Sequence, residues 1–289
     1  MYLTVVVVFY QMAREAPRTL YSLSRDFQRD LDGVEYEVLA LDHGSDPALD
    51  ASLVKGFGRN FSCVRVNSAP RSPVQAVNEA VRAARGKFVA INIDGARILS
   101  PGLLSGVVSA TRLYPSAFVH TLGFHLGPGL QNETMTKGYD QQAEDALLAG
   151  SNWEADGYRL FDVSVLAASS SGGFFSDISE SNCFALPRSE FLNMGGLHPG
   201  FQSPGGGISN LDFFNRALQN PSLVPVRLLG EGTFHQFHGG VAANAPAEVH
   251  PWSRFRAEYE SIYKHPWTMI KDQDPVFFGR IHQAARQFI

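Results

Sequence analysis

Glycine is missing where the first turn of many nucleotide-binding folds needs it. The chain opens on an apolar run over residues 3–10. Tyr10-Gln11-Met12-Ala13-Arg14 follows, and no glycine occurs before Gly33. A dehydrogenase-type dinucleotide fold needs G-x-G-x-x-G at that turn, and a nucleotidyltransferase needs a glycine-rich basic loop there, so neither pattern is met. Gly56-Phe57-Gly58 is a lone fragment on no strand–helix junction. Cysteine is scarce as well. Cys63 and Cys183 stand far apart and fit neither a disulfide framework nor a thiolate metal cluster, as expected in a reducing cytoplasm. A formal net charge of −4 leaves no basic footprint for nucleic acid. No segment approaches the ~20 apolar residues of a transmembrane segment. The opening run also lacks the basic n-region and cleavage site of a secretory signal.

What is present is a regular alternation. Of 289 residues, 44% are hydrophobic and 18% charged, enough for a sizeable core. Residues 4–9 form a β-branched run of the kind buried on both faces of a sheet. A helix is expected over 17–27, strands over 36–41 and 63–66, and a short helix over 49–57. Pro73 and Gly86 bracket a helix over 73–84, and a strand over 87–93 leads to Asp94. Repeated β-α units with short links predict an α/β fold with a mostly parallel sheet flanked by helices. Ligands of such sheets sit outside the carboxyl ends of the strands, where Asp42, Asp46 and Asp94 fall. Further strands are expected over 117–122 and 160–167, and helices over 139–148, 210–218, 258–262 and 279–288. With no repeat and no clean linker, a single domain over 1–289 is the economical reading.

Four segments in order resemble the family 2 glycosyltransferases of the GT-A fold. They are Val5-Val6-Val7-Val8-Phe9 with the helix from Pro17, Leu41-Asp42-His43-Gly44-Ser45-Asp46, Phe88-Val89-Ala90-Ile91-Asn92-Ile93-Asp94, and Gly195-Gly196-Leu197 with Asp212-Phe213-Phe214-Asn215-Arg216. The match spans about 3–218. The resemblance implies a donor half over about 1–116, an acceptor half over about 117–245 and a C-terminal helical extension over about 246–289. It implies transfer of a sugar from a nucleoside-diphosphate donor to a saccharide, lipid-linked or small-molecule acceptor. The expected setting is cytoplasmic or peripheral to the inner face of a membrane. A homo-oligomer is compatible with this reading, and a degenerate, non-catalytic sugar-nucleotide-binding module is the alternative.

The implied nucleotide-sugar site comprises Phe9, Asp42, Asn92 and Asp94, with Asp42 reading the nucleobase. A divalent cation, Mn²⁺ or Mg²⁺, offsets the charge of a diphosphate leaving group, and a strand-end carboxylate suits it. The family's Asp-x-Asp reads Asn92-Ile93-Asp94 here, so Asp94 is the expected metal ligand, with His238 as a second. His235 and His238 lie three apart and cannot share one strand face, and a zinc site built on the pair lacks a third ligand in the sequence. The family's acidic pair before the second-half helix reads Ser209-Asn210. Asp212 is therefore the expected general base of an inverting reaction and Asn210 a helix N-cap, with Asp177 and Glu180 as nearby acids. The alternative is a retaining reaction in which the leaving phosphate deprotonates the acceptor and no enzyme base is needed. Trp153, Tyr158, Phe174 and Phe175 are candidates for an acceptor platform, and Trp252 and Trp267 for a lid or an oligomer contact.

Overall fold

The computed structural model describes residues 1–66, 71–240, 244 and 250–289. Its first half alternates as the periodicity predicts: β1 (Leu3–Phe9), α1 (Ala16–Ser22), β2 (Tyr36–Asp42), α2 (Ala51–Gly56), β3 (Phe61–Arg65), α3 (Val74–Ala83) and β4 (Phe88–Asn92). These four strands are parallel, in the order β3-β2-β1-β4. β1 shows why its run is apolar throughout. Leu3, Val5, Val7 and Phe9 enter one hydrophobic cluster with Ala16 and Leu20 of α1, while Val6 and Val8 enter another with Val74, Val77 and Val81 of α3. Successive strand residues point to opposite faces, and helices cover both. Pro73 stands at the N-cap of α3, before the first turn, where a helix tolerates proline.

Beyond β4 the rest of the chain continues the same sheet across the boundary expected near residue 116. It contains β5 (Arg97–Leu99), α4 (Leu103–Leu113), β6 (Ala117–Leu126), α5 (Gln131–Thr134), α6 (Gln141–Ser151), β7 (Ser164–Leu166), β8 (Cys183–Pro187), α7 (Arg188–Asn193), α8 (Ser209–Leu218), β9 (Val224–His235), α9 (Trp252–Tyr263) and β10 (Val276–Gly279). The strand order is β10-β9-β6-β8-β4-β1-β2-β3, with β5 against β9 and β7 against β6. β8 runs antiparallel between β4 and β6. The architecture is a mixed α/β sheet, mostly parallel and flanked by helices.

Several expectations are corrected. The helix over 17–27 ends at Ser22, whose hydroxyl donates to the Thr19 carbonyl, and turns follow through Gln28. Serine side chains compete with the helical ladder in this way. Of the strand expected over 160–167, residues 164–166 form β7, while 160–163 belong to a 3₁₀-helix (Gly157–Val163) in which Leu160 and Phe161 turn into the core. The C-terminal part is not purely helical. Val276–Gly279 adds a parallel edge strand to β9, and a short 3₁₀ turn, Gln283–Phe288, follows. Residues 241–243 and 245–249, at the junction expected near 245, lie outside the described residues. Among the described residues no helix is long and apolar enough to cross a membrane.

Candidate functional site

Asp94 follows the end of β4, and the next residue fixes its approach. The Gly95 N–H donates to the Val8 carbonyl at 2.7 Å. A Cβ on Gly95 would lie 2.3 Å from Phe9 Cδ1 and 2.5 Å from Val8 O. Only glycine lets the chain pass this close to the end of β1. The Ala96 N–H donates to Asp94 Oδ1 at 2.9 Å, which leaves Oδ2 facing the end of β9. β9 arrives there through β5: Arg97 pairs with His235 in an antiparallel ladder, and the Gln236 N–H donates to the Ala96 carbonyl.

Asp94 Oδ2 is 3.1 Å from His235 Nε2 and 3.6 Å from His238 Nε2. One ligand atom from each of the three side chains lies within 4.8 Å of the other two. The tautomer of His235 follows from its neighbours. Gln131 Nε2 donates to the Leu126 and His235 carbonyls and faces Glu144 Oε2, so Gln131 Oε1 is the acceptor turned toward His235, where it also accepts from Asn244 Nδ2. His235 Nδ1 lies 2.7 Å from that oxygen and must be the protonated nitrogen of a neutral ring. Neutral His235 therefore turns the Nε2 lone pair toward a carboxylate oxygen. Two acceptors at that separation need a proton or a cation between them. A buried amide that fixes the tautomer of a histidine is the support expected around a metal ligand.

His238 lies beyond the strand, in a loop that Asn244 shapes. Asn244 Oδ1 accepts from the N–H groups of His238, Gly239 and Gly240, while its Nδ2 donates to Gln131 Oε1. Arg14 and Glu144 grip the Phe237 carbonyl and N–H from either side. Burial works to raise the Asp94 carboxyl, but the charge of His238 and the contacts with both imidazoles hold it well below the usual carboxylate range. Burial depresses His235 to about 4, against the pull of Asp94. His238 is shifted the other way, upward: burial works to lower it, but the charge of Asp94, its hydrogen bond and the charge of Glu15 together outweigh that.

The other expected residues divide. Phe9 is buried beneath Gly95. Asn92 is buried at the end of β4, where its Nδ2 donates to the Arg97 carbonyl at 3.4 Å and its Oδ1 has no partner among the described residues. Asp42 is fully buried and committed: Oδ1 accepts from the Ser45 N–H, and Oδ2 from the Leu49 N–H and Arg65. Asp212 is bound to Arg216 at 2.9 Å, and Arg216 in turn holds the Met194 and Gly196 carbonyls. Asn210 is not the cap of α8, which begins at Ser209. It sits in the first turn and donates to Glu180 Oε2 at 2.8 Å and to the Ser181 carbonyl. Asp177 binds the backbone N–H groups of Asp272 and Gln273. Glu180, half-buried, precedes the segment whose Asn182 carbonyl accepts from the Ile93 N–H, next to Asp94.

Of the aromatic candidates, Trp153, Tyr158 and Phe174 are core residues. Phe175 is exposed and packs on Phe277. The Phe174 and Ser176 carbonyls are held by Arg227, eight residues before His235 on β9, so Phe175 is roughly 25 Å along the strand from the cluster. Trp252 and Trp267 pack edge-to-face against each other. His235, Gln131, Asn244 and Arg97 were not singled out as site residues by the sequence. The His235-x-x-His238 spacing was visible, but the strand-face rule ruled out their convergence. That rule fails because the strand stops at His235.

No family model and no curated protein matches the chain. Its fold is that of the GT-A glycosyltransferases. S. aureus TarS 1–349 in complex with UDP-GlcNAc superposes with a TM-score of 0.54 at 14% identity, over 90% of this chain and 67% of that one. Glucosyl-3-phosphoglycerate synthase from Mycobacterium tuberculosis, in complex with phosphoglyceric acid, gives 0.51 at 17% identity, over 92% and 81%. A further TarS structure gives 0.52 at 13% identity, and there the chain spans 37% of the neighbour's length against 83% of its own.

Proposed function

We propose that the chain is a metal-assisted glycosyltransferase that moves a sugar from a nucleoside-diphosphate donor to an acceptor hydroxyl. The observation that carries this reading is the meeting of Asp94, His235 and His238 at the carboxyl end of β4. β4 and β2 flank β1, so the strand order reverses there, the place where open α/β sheets bind ligands. The similarity in fold to TarS, seen with UDP-GlcNAc, makes uridine diphosphate the first probe.

Asp94 Oδ2, His235 Nε2 and His238 Nε2 fit a divalent ion, because the fixed tautomer of His235 leaves a lone pair facing a carboxylate. When bound, such an ion offsets the charge that develops on the departing diphosphate. Two imidazole nitrogens suit Mn²⁺ better than Mg²⁺, which prefers oxygen ligands and keeps its waters. Phe9 and Asn92 form the floor at the ends of β1 and β4. Asp42 shapes the wall of the nucleobase end by holding Ser45 and Leu49, rather than offering a free oxygen to the base.

The base in this reading is Glu180. Asn210 occupies a position where the resemblance expects an acid, and its amide holds the Glu180 carboxylate. Glu180 takes the proton of the acceptor hydroxyl as the acceptor oxygen bonds to the anomeric carbon. The bond from that carbon to the diphosphate oxygen breaks, and the diphosphate leaves with the electron pair. This single displacement inverts the anomeric configuration. Calorimetry with uridine and guanosine diphosphates, with and without Mn²⁺, tests the donor site. Metal-dependent binding of one of them is expected, together with consumption of the corresponding sugar nucleotide. Absence of any metal-dependent binding overturns the proposal, and binding without turnover identifies the non-catalytic module instead.

A further inference from the structure

Arg97 is only 6% exposed, yet its Nε and Nη1 find no acceptor among the described residues. Its place is set by the sheet. It lies opposite His235 in the β5–β9 ladder, and His235 lies opposite His125 in the β9–β6 ladder. Directly opposed residues share a face, so the guanidinium and the two imidazoles stand in one row beside Asp94. Asp94 and Glu180 are close enough for their charges to favour the guanidinium, but neither bonds its Nε or Nη1. On β6, Gly123 lets the Asn182 amide oxygen pack against the strand next to Arg97. A Cβ there would lie 2.7 Å from Asn182 Oδ1 and 3.7 Å from Arg97 Nη1.

A buried cation with unpaired donors is strongly unfavourable unless something completes it. A guanidinium cannot escape by losing its proton, and its planar fork matches the oxygens of a phosphate. The Asp94–His235–His238 cluster also cannot hold a diphosphate by charge alone, since Asp94 cancels part of any bound cation. We infer that Arg97 is the phosphate-binding arm of this site, its Nε and Nη1 donating to oxygens of an entering diphosphate group. The inference rests on the donor-site reading above and assigns the leaving group a second, metal-independent anchor.

Calorimetry on the full chain tests it, with inorganic pyrophosphate and uridine diphosphate as probes, each with and without Mn²⁺, on the wild type, Arg97→Met and Arg97→Lys. Pyrophosphate is expected to bind the wild type even without Mn²⁺. Arg97→Met should weaken both probes by about tenfold or more, the size expected for lost charge-assisted bonds. Arg97→Lys should recover part of that affinity, and Mn²⁺ affinity without an anion should not fall in either variant. Unchanged pyrophosphate binding in Arg97→Met, or loss of Mn²⁺ binding along with the anion, overturns the inference. Should Arg97→Met fail to fold, Arg97→Lys carries the test: replacing the fork by a point charge must weaken pyrophosphate, and an unchanged affinity refutes the role. Arg97-dependent pyrophosphate binding with no gain from the uridine moiety keeps the arm and overturns the sugar-nucleotide reading. Metal-dependent uridine diphosphate binding indifferent to Arg97 does the reverse.

Discussion

Asp42 and Asp94 lie at or just past the carboxyl ends of two parallel strands, one strand apart, and the chain treats them in opposite ways. Asp42 is fully buried, and both its oxygens are taken by the Ser45 and Leu49 N–H groups and by Arg65. Asp94 keeps about a fifth of its side chain exposed and turns Oδ2 toward two imidazole nitrogens. One carboxylate finishes a turn, while the other keeps an oxygen turned away from its own loop. A strand-end acid is thus made structural or chemical by what surrounds it, not by its position.

The strongest way to break the comparison is to remove the open carboxylate. Asp94→Ala should abolish Mn²⁺ binding, read by calorimetry, while Asp42→Ala should leave it intact. Parallel loss in both variants would show that the two acids act as one site. Glu180→Gln should lower turnover of whichever sugar nucleotide the wild type consumes by about 10²–10⁴-fold, the usual worth of a general base. Donor binding should be unchanged in that variant. Asp212→Asn should leave turnover near wild type, since Asp212 holds Arg216; the opposite pattern would return the base role to Asp212.

Smaller effects sharpen the contrast. Gln131→Met frees His235 Nδ1 from its acceptor and should weaken Mn²⁺ by about 10–100-fold, as for other groups that orient metal ligands. An unchanged metal affinity would show that the tautomer is set elsewhere. Asp42→Ala, measured by urea unfolding, should cost about 1–3 kcal/mol, because two backbone N–H groups lose their acceptor.

A further contrast concerns a third kind of acid, Glu144 and Glu231, each pushed up to about 7 chiefly by burial. Each carboxyl stays protonated in the folded chain at pH values where the unfolded chain has already released its proton. Stability contributed by these groups therefore falls as pH rises from about 4.5 to about 7, by roughly 1 kcal/mol per pH unit for each. Urea melts at pH 5 and pH 8 should show the decline, and Glu231→Gln should flatten it. Asp94 has the opposite sign. Its lowered carboxyl contributes stability above the unfolded value near 3.8, lost as pH falls below it.

The first half of the fold was legible because each element carried its own signal. The Val5–Val8 run, the helical spacing of Val74, Val77 and Val81, and the turn residues after Leu41 are local patterns with local causes. β5, β8 and most of β9 gave no such signal. β5 is three residues long, and β8 is a short apolar segment whose identity depends on lying between β4 and β6. Asp94 could be placed from the sequence because its strand was clear. His235 could not, because its partner Asp94 is 141 residues away, and Gln131, which fixes its ring, is 104 away.

By itself the sequence determined the parallel β-α core and the aspartates at its carboxyl edge, since periodicity and turn chemistry are short-range properties. Tertiary structure alone decided which aspartate is spent on its own loop and which is left open. It also decided that two histidines converge on the second, and that Arg97 lies beside them with Nε and Nη1 unpartnered among the described residues. Those outcomes depend on ladders between strands distant in the chain, and on burial, which sets how much an unpaired charge matters. Neither is written in any local stretch of residues.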